Sequence, residues 1–94
     1  MFRLEPDGPG RVRLIGRLDA AEADAAAKDF AVLEGPIVAD CSALEYISSA
    51  GISVLLLTYK RLTAAGHSLR LAEVAPRIRN VFVYSGLAKL LGIE

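Results

Sequence analysis

Apolar and charged residues alternate along Phe2-Arg3-Leu4-Glu5 and again along Arg11-Val12-Arg13-Leu14-Ile15. A period of two marks a strand with one buried and one wet face. Between the two runs lies Pro6-Asp7-Gly8-Pro9-Gly10, dense in turn residues, so the strands are expected to pair as an antiparallel hairpin. Gly16 interrupts the second run, as at a bulge or a close backbone approach.

The period then lengthens. A helix is expected from Asp19, with Asp19 and Glu22 spaced as in a capping box and Ala23, Ala27, Phe30 and Leu33 on one face. Gly35-Pro36 stops it. Ile37-Val38-Ala39 is a short apolar run between breakers, the pattern of a central buried strand. Asp40 and Ser42 mark its end, and Ala43 to Ile47 reads as a connecting loop. Ser48-Ser49-Ala50-Gly51 opens a second helix, apolar around most of its first half and closed by Gly66. Leu69, Leu71 and Glu73 continue a strand. Pro76 suits the first turn of a third helix, with Ile78, Val81, Phe82 and Ser85 on one face and Gly86 at its end. The apolar turn from Leu87 to Ile93 is expected to pack back on the domain.

This order is a hairpin followed by two βαβ crossovers. It predicts one α/β domain over residues 1–94, with a mostly parallel sheet, an antiparallel first strand at one edge and right-handed crossovers.

The chain has 94 residues, 53% hydrophobic and 23% charged, a globular composition. Eleven Lys and Arg balance eleven Asp and Glu. A protein that neutralises many phosphates carries a basic excess, so nucleic acid is not an expected partner. Cys41 is the only cysteine, which excludes an internal disulfide and a cysteine-based zinc site and suits a reducing compartment. Val54-Leu55-Leu56-Leu57 falls far short of the ~20 apolar residues of a membrane helix. The N-terminus has charges where a signal peptide needs an apolar core. A cytoplasmic module without membrane insertion is expected.

Catalytic constellations are missing. His67 is the only imidazole, and a helix of this length puts it about 25 Å from Ser48 and Ser49, beyond reach of a serine–base pair. No Gly-Lys-Ser/Thr phosphate loop and no dinucleotide fingerprint occur. Asp24, Asp29, Glu34 and Glu22 fall on the first helix as a solvated face. No enzyme activity, cofactor or metal is expected.

The chemistry that remains sits at Ser48-Ser49. Serine is a favoured N-cap, because its oxygen accepts a free amide hydrogen of the first turn. The same free amides and partial positive charge also tolerate an anion. A phosphate on Ser49 would add roughly −1.5 to −2 charge without unfolding the helix, yet would repel a protein docked there. Either Ser48 caps and Ser49 is exposed, or the reverse.

The stretch Ile37 to Leu57, Ile-Val-Ala-Asp-Cys-Ser-Ala-Leu-Glu-Tyr-Ile-Ser-Ser-Ala-Gly-Ile-Ser-Val-Leu-Leu-Leu, resembles the signature of STAS domains, in particular the anti-sigma factor antagonists. Gly16-Arg17-Leu18-Asp19 is similar to the family's Gly-x-Leu-Asp, and Val74-Ala75-Pro76 through Ser85-Gly86-Leu87 to its last helix and turn. The resemblance implies a mixed sheet of four to five strands packed by three to four helices. It also implies partner switching: the unphosphorylated antagonist binds an anti-sigma factor that is also a serine kinase, phosphorylation at the start of the second helix releases it, and a serine phosphatase reverses the mark. The acceptor falls on Ser49, with Ser48 less favoured. Gly51 falls on the family's glycine, and Asp19 and Asp40 on its acidic positions near the site. Ser48 stands where the family commonly has Asp. Partner contacts are expected from Asp19, Ala20, Tyr46, Ser48, Ser49, Ala50, Gly51, Ile52 and Ser53, with Arg77 and Arg79 adding charge. The alternative is a STAS-like accessory subunit on the ATPase of an ABC-type lipid or solute transporter; a nucleotide sensor lacks any base-reading pocket.

Overall fold

The computed structural model describes residues 1–93. The turn at residues 7–10 folds β1 (Phe2–Pro6) onto β2 (Arg11–Leu18), followed by α1 (Ala23–Ala31), β3 (Ile37–Ile47), α2 (Ser49–Ala64), β4 (Leu69–Ala72) and α3 (Pro76–Ser85). The strands lie in the order β1-β2-β3-β4. β1 is antiparallel to β2, while β2–β3 and β3–β4 are parallel. The expected antiparallel edge is therefore present, with four strands and three helices within the expected ranges.

Alternation along β2 sets the core. Val12, Leu14 and Leu18 are buried, while Arg13 and Arg17 on the other face are exposed. The buried row joins Ile37 and Ala39 of β3 and Leu69 and Leu71 of β4 in one cluster with Ala26 and Phe30 of α1 and Val54, Leu55 and Leu62 of α2. Phe2 stacks on Phe30 with ring centroids 6.4 Å apart, tying the edge strand to α1. Leu91 is fully buried, and its carbonyl accepts the Leu71 amide hydrogen at 2.9 Å, so the C-terminal turns pack back as expected and cover the outer edge of β4.

Several elements differ from the sequence reading. Helix α1 starts at Ala23, not Asp19. The Asp19 Oδ1 accepts the Glu22 amide hydrogen at 3.2 Å, closing a separate turn, and the first helical bond runs from Ala26 N–H to Glu22. Ala26, not Ala27, then faces the core. On α3, Ile78 and Phe82 are buried, whereas Val81 and Ser85 face solvent. Glu73 lies beyond β4 with φ 56°, a left-handed conformation that ends the extended run.

The largest correction concerns β3. The expected loop from Ala43 to Ile47 is strand, paired through Ile15↔Ala43, Gly16↔Leu44, Arg17↔Tyr46 and Leu18↔Ile47. Register shifts fall between Arg13 and Ile15 and between Gly16 and Arg17. They break the period of two, so Leu44 and Ile47 both point inward three positions apart. Gly16 makes the second irregularity possible. Its φ is 93°, and a side chain there would collide with the Met1 carbonyl, which accepts the Arg17 amide hydrogen at 2.8 Å. Both the bulge and the close backbone approach expected at Gly16 are thus present.

Candidate functional site

β2 and β3 end together, and α2 begins on top of them. The Ser48 N–H donates to the Leu18 carbonyl at 3.0 Å, anchoring the helix start to the last residue of β2. Ser48 is extended (φ −96°, ψ 174°), and its hydroxyl accepts the Gly51 amide hydrogen at 3.2 Å. Ser48 is therefore the N-cap. Gly51 sits where a Cβ would lie 2.6 Å from the Leu18 carbonyl oxygen and 2.9 Å from Ile47 Cγ1. Only glycine allows the first turn this close to both strand ends.

With the cap supplied by its neighbour, Ser49 is the first helical residue and is exposed. Its carbonyl accepts the Ser53 hydroxyl at 3.1 Å, but no described residue hydrogen-bonds its own hydroxyl. The cap takes up the Gly51 amide and leaves those of Ser49 and Ala50 without partners inside the helix. A hydroxyl on the outside, beside unsatisfied amides, has the surroundings a dianion needs.

The neighbouring expected residues surround this point. Asp19 and Ala20 follow directly on Leu18, half-buried and exposed respectively; Ala50 and Ile52 are half-buried and Ser53 exposed. Tyr46 is 41% exposed, and the Arg17 guanidinium lies 4.4 Å from its ring centroid. Arg17 is absent from the sequence-derived site. Its signal was the pairing of Arg17 with Tyr46, legible only once β3 is known to extend that far. Arg77 Nη2 donates to the Glu45 carbonyl at 3.0 Å and pins α3 to the end of β3. Arg79 lines a depression of about 430 Å³ with Arg70, Val38 and Gly92, away from the helix start.

Asp40 is not brought to Ser49. The resemblance implies an acidic position near the site at Asp40, but seven further strand residues, Cys41 to Ile47, intervene before the helix start, a run on the order of 20 Å. The Asp40 carboxylate instead accepts the Ser42 amide hydrogen at 2.8 Å and lies 3.7 Å from Arg11. The Ser42 amide, helped by the Ser42 hydroxyl, Arg11 and Arg13, holds its pKa below the usual value against the opposing effect of burial. Cys41 is fully buried, and burial, with the Asp40 charge adding to it, pushes its thiol up to about 12. Among the described residues no cluster of His, Cys, Asp and Glu could hold a metal ion, and no helix is long and apolar enough to cross a membrane.

Comparison with known proteins bears on the family and the fold. The family model described as "Mlab, STAS domain" matches residues 2–92. BtrV of Bordetella bronchiseptica, named as an anti-sigma factor antagonist, is 40% identical over 60 residues, 64% of this chain and 52% of that protein. The matched region is thus about half the length of that relative. Among solved structures, unphosphorylated SpoIIAA, an anti-sigma factor antagonist, superposes with a TM-score of 0.70 at 21% identity, covering 89% of this chain and 83% of that one. Phosphorylated SpoIIAA, a Bacillus cell fate determinant, gives 0.68 at 22% identity over 96% and 87%. A sulfate transporter family protein from Wolinella succinogenes gives 0.75 at 19% identity over 96% and 76%. These structural likenesses establish a shared fold. With the family model matched from Phe2 to Gly92 on that same fold, the chain belongs to the STAS domain family.

Proposed function

We propose that this STAS domain is an anti-sigma factor antagonist whose docking surface is switched by phosphorylation of Ser49. The observation that carries the reading is the exposed, unbonded Ser49 hydroxyl at the first position of α2, with Ser48 already serving as the cap. The likeness to BtrV supports the partner class.

In this reading the unphosphorylated helix start docks on an anti-sigma factor with serine kinase activity. Ser49, Ala50, Ile52 and Ser53 form the centre of the contact, with Asp19, Ala20, Tyr46 and Ser48 around it and Gly51 beneath. The kinase transfers the γ-phosphoryl group of ATP to Ser49 Oγ. The hydroxyl proton leaves to the kinase's base, and ADP departs. The new dianion is hosted by the free amides of α2, so the domain stays folded. The partner meets that charge on a surface it had desolvated, which lowers affinity by about a hundredfold or more. A serine phosphatase restores the hydroxyl. The chain is substrate rather than catalyst throughout, and the kinase and its ATP place it in the cytoplasm.

Binding of the chain to a candidate kinase partner, measured with and without ATP, tests the reading. ATP is expected to release the native chain and leave the Ser49→Ala variant bound. Retention of both would refute it. A second reading, carried over from the sequence resemblance, is an accessory subunit on the ATPase of an ABC-type lipid or solute transporter. It uses the same helix start, and predicts stable binding to that ATPase with no phosphate transferred to Ser49.

A further inference from the structure

β1 is an edge strand whose free edge is complementary to itself. Arg17 N–H donates to the Met1 carbonyl at 2.8 Å and Asp7 N–H to the Arg11 carbonyl at 2.9 Å. In an antiparallel ladder, residues that turn their backbone groups toward the neighbour alternate with residues that turn them away. With Arg3 opposite Ile15 and Glu5 opposite Arg13, the odd positions face β2. Phe2, Leu4 and Pro6 therefore point their backbone groups outward, where no other strand of the described residues pairs with them.

The side chains repeat the symmetry. Arg3 and Glu5 flank Leu4 on the exposed face of β1, 3.2 Å apart, with side chains 56% and 45% exposed. A second β1 laid antiparallel with its two-fold axis at Leu4 sets Arg3 opposite Glu5 twice over. These are the close, non-hydrogen-bonded positions, where opposite charges attract and like charges destabilise. At the axis the two Leu4 residues exchange N–H and carbonyl. Outside them, each Phe2 N–H meets the carbonyl of the other copy's Pro6. Proline cannot donate, and in this register its missing bond falls only at the ends of the ladder. On the other face Phe2 and Leu4 are only half-buried, and Val32, 77% exposed, lines one depression with Leu4, Pro6 and Leu33. Apolar surface thus borders the seam on the face opposite the charges.

The geometry points to a second copy of this chain as the occupant of the edge, forming a two-fold dimer with one sheet continuous across both copies. Sedimentation equilibrium from about 10 μM to about 1 mM tests it, a range suited to a weak, short ladder. The native chain is expected to dimerise with rising concentration. Arg3→Glu and Glu5→Arg each place like charges in register and should raise the dissociation constant about tenfold or more. Mixing those two variants should restore association as a heterodimer, and the double variant R3E/E5R should restore it alone. Circular dichroism melts confirm that each variant is folded. A native chain monomeric throughout, or single variants that self-associate as strongly as the native chain, would overturn the inference.

Discussion

The Ser48 hydroxyl accepts the Gly51 amide hydrogen at 3.2 Å, and this bond divides the labour between two adjacent serines. One serine holds the helix start; the other is left exposed beside free amides. Replacing each alone separates the roles. Ser48→Ala removes the cap and is expected to cost about 1 kcal/mol, which lowers the melting temperature by about 4–8 °C in a domain of this size. Ser49→Ala should stay within about 0.5 kcal/mol of the native chain. Ser48→Asp keeps an acceptor for the same amide and should be near neutral. Thermal melts of the three variants check the assignment.

Gly51 tests how closely α2 sits on the strands. Gly→Ala in a helix interior ordinarily gains up to about 1 kcal/mol from propensity. Here the added methyl meets the Leu18 carbonyl, which is backbone and already bonded to the Ser48 N–H. Gly51→Ala is therefore expected to destabilise by about 1–3 kcal/mol, as read by urea denaturation.

The two halves of β3 were unequally legible in the sequence. Ile37 to Ala39 announced a buried strand by an apolar run between breakers. Ala43 to Ile47 did not, because two register shifts against β2 disrupt alternation and bring Leu44 and Ile47 inward out of step. Reading this half as a loop hid the Arg17–Tyr46 contact. β1, β2 and α2 were legible from periodicity and turn residues alone, and Pro76 and Gly86 marked both ends of α3. The start of α1 was misread because Asp19 closes a turn instead of capping the helix. The serine pair was legible as a helix start; which serine caps depended on backbone geometry that composition does not carry.

Asp40 should shape the acid limb of stability. Its folded pKa is lowered from an ordinary value near 3.8, chiefly by the Ser42 amide. A carboxylate with a depressed folded pKa contributes stability that is fully present above its unfolded value. That contribution is lost as pH falls below the ordinary value and through the folded one. Asp40→Asn should therefore lower stability at neutral pH and converge with the native chain in strong acid. Denaturation midpoints measured across that range would show parallel curves if Asp40 had no such role.

Cys41 predicts a silent thiol. Fully buried, with its pKa pushed up to about 12, it presents almost no thiolate to solvent at neutral pH. A thiol reagent should label the native chain only as fast as it unfolds, and label it at once in denaturant. Rapid stoichiometric labelling of folded protein would contradict the burial.

The central claim is that Ser49 is the residue modified and that its modification releases the partner. The most direct measurement is intact mass with site mapping after incubation with the kinase partner and ATP, made alongside binding of the same samples. The account predicts a single phosphate on Ser49, a folded domain and a separated complex. A phosphate on Ser48 or elsewhere, or a Ser49-phosphorylated chain that stays bound, would contradict it.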